Sequence, residues 1–434
     1  MRIDLSDSAP VEPTSSIVVA GDVHLAHDRW AEIPLGEDLL SVVRSAAVSV
    51  ANLEAPLEGR TSLLKAGPVL STGERTPTRL SSMGFDAVSL ANNHIMDHGE
   101  KGLRRTIAAC SDVGVRTFGA GPTESDALEA VTDSIDGTTV GVISLAEPEE
   151  GLLASDRPMV GWIRKPGISR HVESVVASHD VTILIAHGGI EFTPIPPRSW
   201  RNLLRSFTET GLDAIVAHHP HNPQGWEIHD GVPIFYSVGN FLMHPTRPGE
   251  SWNYVVQLEI TDDLSLAPSV YVNSVGRSSV GLMDESALDD YWGYLRHSSN
   301  VLLDDRYETY WQVIASDLSE NEFYSGRYAD YGDGFLPSVV LRSAREAVRV
   351  MRDVSGSQEQ LETVYRTNKL LKESHRDVLL TALALELGHT DDLRSDAARR
   401  DLQTLNRFYD GSLEEPGEGI FERWFSDRIR RHVE

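Results

Sequence analysis

Five short, apolar, largely β-branched runs each break off into an acid, an asparagine or a histidine. Residues 16–20 (SIVVA) run into Gly21-Asp22-Val23-His24, and residues 48–51 into Asn52-Leu53-Glu54. Residues 86–90 run into Ala91-Asn92-Asn93-His94, residues 181–186 (VTILIA) into His187, and residues 212–217 into His218-His219-Pro220-His221. Runs this short and this apolar read as buried strands. Several are separated by segments with helical spacing, which points to a parallel α/β sheet with right-handed crossovers. The carboxyl ends of such strands share one edge, where open α/β sheets collect chemistry.

The densest of these ends is residues 91–99, ANNHIMDHG, followed by a helical pattern over 100–113. Asn93 offers an amide oxygen to a cation, and His94 offers a ring that ligates or moves a proton. Asp97, three residues on, is placed to orient that ring. Alone the stretch is also good turn composition. Asp22 and His24 lie on the same side of an extended segment, which suits joint ligation. Five such ends in one chain argue for convergence on a metal. Mixed oxygen and imidazole donors suit manganese, iron or zinc. Asp22 and Glu54 can each bridge, so one or two ions are expected, a few ångström apart if two.

The remaining pattern fills in the frame. Helices are expected over 31–47 after Pro34, 78–83, 168–178 and 198–210, with a further strand at 115–118. Hairpins are expected about Asp136-Gly137 and Asp230-Gly231. Gly119-Ala120-Gly121-Pro122 lacks a phosphate-binding fingerprint and reads as a turn. Strands over 254–260 and 269–275 close the first region. From about Ser278 glycine thins out, and helical spacing covers 287–296, 307–317, 337–353, 358–387 and 391–409. The 434 residues therefore divide into a catalytic region, 1–277, and a mostly helical region, 278–434.

Composition excludes some partners. A net charge of −26, with five lysines in the chain, argues against nucleic acid. Cys110 is the one cysteine, so no intrachain disulfide forms, and it reads as a core residue. No run of about 18 apolar residues is present, so no membrane span is expected. The first sixteen residues carry Asp4, Asp7 and Glu12 and no apolar signal core, which leads to the expectation of a cytoplasmic protein.

The strings GDVH, NLEAPL, LANNHIMDHGEKGL, HHPH and YSVGNF, in this order over about residues 17–243, resemble the CapA family of calcineurin-like metallophosphoesterases, named for poly-γ-glutamate capsule synthesis. The resemblance implies a four-layer α/β/β/α sandwich, with the mostly helical region after about Ser278 lying outside it. It implies that Asp22, His24, Glu54 and His221 hold one metal, and that Asp22, Glu54, Asn93, His187 and His219 hold a second. His94 would be the acid/base group, with Asp97 behind it. Two departures stand out. Gly188 replaces a tryptophan found in many relatives, which would open space above the metal. His24 stands where many have a methionine-like residue.

Three functions follow from this resemblance. A dinuclear phosphoesterase or amide hydrolase would use the metals to activate water, with Arg198 and Arg201 as candidate phosphate contacts. A capsule or polyglutamate factor follows from the family name. A CapA-like branch also includes the lasso-peptide epimerase, which inverts an α-carbon in a ribosomal peptide. Cα epimerisation of a peptide is the favoured expectation, given the expected cytoplasmic location, Gly188 and the added helical region. It needs a second acid/base group beside His94–Asp97, drawn from His24, His187, His219 or His221. A hard ion such as calcium, held through oxygens and water, would leave that second histidine free.

Overall fold

The computed structural model describes residues 2–5, 15–26, 31–59, 68–148, 159–245, 248–276, 278–320 and 372–406. Among these, nine strands form one sheet and six form a second. The first sheet runs Arg2–Asp4, Leu266–Val275, Trp252–Ile260, Ser16–His24, Val48–Leu53, Ala87–Ser89, Arg116–Phe118. Its last four strands are parallel. The second sheet runs Trp226–His229, Val232–Phe235, Ala214–His218, Val181–His187, Thr138–Ala146, Val131–Ile135, with a parallel centre.

Strand alternation sorts the core into layers. Ile17, Val19, Val48 and Val50 face the second sheet, in one cluster with Val142, Ile183 and Ile185. Val18, Ala20 and Ala51 face the other way, onto Leu39, Val43, Leu80, Leu103 and Cys110 of the helices Glu37–Ser45, Thr76–Met83 and Gly99–Asp112. The helices Ile168–Val176 and Arg198–Thr208 pack on the far side of the second sheet through Val172, Trp200, Leu204 and Phe207. The result is a four-layer α/β/β/α sandwich. Side-chain hydrogen bonds tie its sheets directly. The Ser89 and Ser144 hydroxyls lie 2.6 Å apart, and His218 Nε2 lies 3.0 Å from the Ala20 carbonyl.

Local chemistry sets the turns. Both expected hairpins form, and their Asp-Gly pairs have positive φ at both residues, the left-handed conformation that lets a two-residue turn follow the right-handed twist of its strands. Gly21 marks a change of neighbour. Residues 16–19 pair with Trp252–Ile260, and residues 22–24 pair with Asn240–Met243. A Cβ at Gly21 would lie 1.9 Å from the Gly239 carbonyl oxygen, so the two strands can approach only with hydrogen there.

The sheet takes one more strand, Val280–Leu282, beyond the compositional break at 277/278. The helices Glu285–Leu303 and Arg306–Glu320 then join the inter-sheet core through Tyr294, Leu295 and Trp311. The Ser298 and Ser299 hydroxyls accept from Gly225 N and Trp226 N, which covers the outer end of the second sheet. The helical segment expected at 337–353 lies outside the described residues, as do residues 358–371 of the next one; that one is helical over Glu373–Glu386. Of the segment expected at 391–409, Asp396–Asn406 is helical, residues 391–395 are not, and 407–409 lie outside the described residues.

Candidate metal centre

All five strand ends open on the same edge of the sandwich, and their polar side chains are buried there. Asp22, Glu54, Asn93, His94, Asp97, His187 and His219 are each at most 4% exposed. One donor atom from each of Glu54, His187 and His219 falls within a sphere where all lie within 4.8 Å of one another. His187 Nε2 is 3.1 Å from Asn93 Oδ1 and 3.8 Å from Glu54 Oε1.

Asn52 organises the acids. It lies two residues before Glu54 near the end of its strand, and its Nδ2 donates to Asp22 Oδ1 at 2.8 Å and Glu54 Oε2 at 2.7 Å. The same nitrogen is 3.5 Å from His187 Nδ1. Two carboxylates this deep would repel each other, and the shared amide holds them side by side. Asp22 Oδ2 is left buried with no hydrogen-bond partner among the described residues. An orphaned carboxylate oxygen beside a Glu-His-His cluster fits a divalent cation, which supplies the missing charge.

The turn after Ala214–His218 carries its histidines on strained backbone, with φ of +99° at His219 and +63° at His221. Neither residue is glycine, so the surrounding structure holds this turn in place. His221 Nδ1 faces Asn240 Oδ1 at 2.9 Å and Asp22 Oδ2 at 3.6 Å. Burial pushes the His219 pKa well below its ordinary value, with Lys372, His221, His375 and His94 adding in the same direction.

His94 stands one residue from Asn93. Its Nδ1 is 2.7 Å from Asp97 Oδ2, which also accepts from Leu70 N at 2.7 Å. Asn92 shapes the turn: its side-chain oxygen accepts from His94 N and Ile95 N, and its Nδ2 donates to Leu53 O and Asn52 Oδ1.

The remaining expected residues take other places. His24 Nε2 faces the Ser71 carbonyl at 3.1 Å, outside the Glu54–His187–His219 group, and burial pushes its pKa down to about 4. Gly188 does not open space. Its missing side chain is filled by the indole of Trp200 and by Glu147, which would meet a Cβ at 2.7 and 2.8 Å. Of the candidate phosphate contacts, Arg198 is paired with Glu308 and Asp377, and Arg201 with Glu227.

Four polar residues at this edge carry no role in the sequence reading: Asn52, Asn240, Glu147 and Lys372. Asn240 belongs to YSVGNF and pairs with Asp22 in the sheet. Glu147 follows the strand Thr138–Ala146 and is 2% exposed. Lys372, 1% exposed, reaches in from the C-terminal region, with its Nζ 2.8 Å from His219 Nε2.

The family model described as bacterial capsule synthesis protein PGA_cap matches residues 16–245, which contain every strand end of the centre. The PGA biosynthesis protein CapA of Bacillus subtilis is 28% identical over 206 residues, covering 46% of this chain and 54% of that protein. A probable polyglutamine synthesis accessory protein of Mycobacterium tuberculosis is 30% identical over 247 residues, covering 52% and 62%. The chain spans about half the length of the curated relatives it matches. A hypothetical protein from Thermus thermophilus superposes with a TM-score of 0.41 at 16% identity, over 59% of this chain and 98% of that one. Among the described residues no helix is long and apolar enough to cross a membrane.

Proposed function

Because the chain belongs to the bacterial capsule synthesis protein PGA_cap family, we propose that it is a metal-dependent enzyme that moves a proton at an amide- or carbonyl-bearing peptide substrate. The observation that carries this reading is the buried His94–Asp97 pair, set one residue from Asn93 and the Glu54–His187–His219 cluster. Asp97 holds a proton on Nδ1, which leaves Nε2 as the working nitrogen, and it steadies the ring when that nitrogen is charged. Leu70 N fixes Asp97 in turn. Glu54, His187 and His219, with Asp22 and Asn93 beside them, would hold the ion: manganese, iron or zinc by donor type, or calcium if water completes its shell. When bound, the ion would polarise a carbonyl or phosphoryl oxygen.

The finer assignment is Cα epimerisation. It requires one group to take the Cα proton and a second to return one to the opposite face. His221, 3.6 Å from Asp22, is a second histidine–carboxylate pair at the same edge and supports this reading. The names of the relatives support a second reading, in which the substrate is a γ-glutamyl polymer and the reaction is hydrolysis of an amide or phosphoester.

Incubation with manganese in D₂O separates the two. Epimerisation adds about one mass unit per turnover to an intact peptide, because both acid/base groups exchange with solvent. Shortening of poly-γ-glutamate or release of phosphate, without deuterium uptake, assigns hydrolysis instead.

A further inference from the structure

The helix Glu373–Glu386 is fastened to Glu147, to the helix Arg198–Thr208 and to the helix Arg306–Glu320. Ser374 Oγ donates to Glu147 Oε2 at 2.7 Å, and Ser374 N donates to Glu147 Oε1 at 3.2 Å, so the carboxylate caps this helix N-terminus. Asp377 returns the favour by accepting from Ser199 N at 2.7 Å, in the first turn of the helix Arg198–Thr208. Thr381 accepts from the indole nitrogen of Trp311 at 3.0 Å. This reciprocal capping delivers Lys372 into the centre, 153 residues along the chain from His219.

The contact constrains His219. A neutral imidazole has one N–H and one lone pair, and an ammonium only donates. With Lys372 as an ammonium whose Nζ lies 2.8 Å away, Nε2 is the accepting nitrogen and Nδ1 carries the proton. A metal needs a lone pair from its histidine ligand. With Lys372 docked, His219 has none to give. If the ring changed tautomer to free Nδ1, Nε2–H would face the ammonium, donor against donor.

We infer that the Lys372 ammonium and a divalent ion are alternative partners of His219, so that the start of the helix Glu373–Glu386 carries a built-in competitor for the metal. This rests on the reading of Glu54, His187 and His219 as metal ligands. Ion uptake through His219 requires Lys372 to leave Nε2, and the affinity of the free protein is reduced by the fraction of molecules in which Lys372 is docked.

Calorimetric titration of the metal-free full chain with manganese alone tests this. Lys372→Met should bind manganese about tenfold tighter or more, since the competing donor is gone. Ser374→Ala keeps Lys372 but loosens its anchor, and should tighten binding by a smaller factor, about threefold. In a His219→Ala background, Lys372→Met should bring no gain. A gain that persists there would trace to the field of the ammonium and overturn the inference. So would wild-type affinity in Ser374→Ala, or equal or weaker binding in a folded Lys372→Met. If Lys372→Met does not fold, Ser374→Ala decides. Equal binding by all forms leaves the metal reading standing, whereas no binding by any form overturns both.

Discussion

His94 Nδ1 lies 2.7 Å from Asp97 Oδ2 in a position where both side chains are buried, and Asp97 is itself held by Leu70 N. The carboxylate therefore orients the ring without being free to turn toward the metal cluster. His94→Ala should lower turnover by about 10²–10⁴-fold, the usual contribution of a positioned acid/base group. Metal affinity should change little, because His94 is outside the Glu54–His187–His219 group. Asp97→Asn should lower turnover less, since an amide still bonds Nδ1 but does not stabilise the charged ring. Steady-state turnover with manganese titration checks both, and a His94→Ala enzyme with near-normal turnover removes His94 from the mechanism.

The amide of Asn52 is what keeps Asp22 and Glu54 at bonding distance of one group. Asn52→Ala removes that bridge while leaving every donor to the ion in place. Groups that orient metal ligands from behind are typically worth about 10–100-fold in affinity. The manganese dissociation constant of Asn52→Ala should rise by that factor. A constant within about twofold of wild type would mean that the two acids are positioned by the strands alone.

The layered frame and the convergence of the strand ends were legible because each depends on a local pattern. A β-branched run bounded by a polar residue is read within six residues, and Asp-Gly between two such runs has one favoured turn. What escaped depends on packing between distant segments. Asn52, between Ala51 and Leu53, looks like the start of a turn, although strand alternation places it on the face of Glu54. Gly188 shows that a side chain is missing but not that Trp200, on the following helix, fills the space. Arg198 and Arg201 look available until Glu227, Glu308 and Asp377 arrive from other elements. Lys372 carries no local signal, because its meaning comes from reciprocal helix capping across the fold.

Gly21 and Gly239 show the same dependence in the backbone. Asp22 N donates to Gly239 O at 3.1 Å, and a Cβ at Gly21 would sit on that same oxygen and 3.0 Å from Phe241 N. Backbone offers no flexible end to move aside, so Gly21→Ala must part the two strands next to Asp22. A loss of about 2–3 kcal/mol is expected, at the upper end for overpacking a core. Thermal unfolding measures it, and the displaced Asp22 should weaken manganese binding at the same time. An unchanged melting temperature would show that the strands separate without cost.

In the metal-free protein, buried histidines tie stability to pH. Burial is the main cause that pushes His24 down to about 4, only partly opposed by the Ser71 carbonyl; His94 and His221 add to the lowering, and Asp97 works against it. In the unfolded chain a histidine titrates near 6.5. Between these values the unfolded chain binds a proton on His24 that the folded chain does not, so stability rises with pH across the window. The contribution is complete above about 6.5 and is lost as the pH falls toward about 4. His219 is shifted in the same direction, chiefly by burial and then by Lys372, and adds to the same slope. The melting temperature should therefore drop steeply from pH 6.5 to pH 4. His24→Gln keeps a donor for the Ser71 carbonyl but does not titrate, so its curve should be flatter by one proton in that window. A His24→Gln curve parallel to wild type would show that His24 is protonated as readily in the fold as out of it, and would remove burial as the force that keeps its ring neutral beside His94.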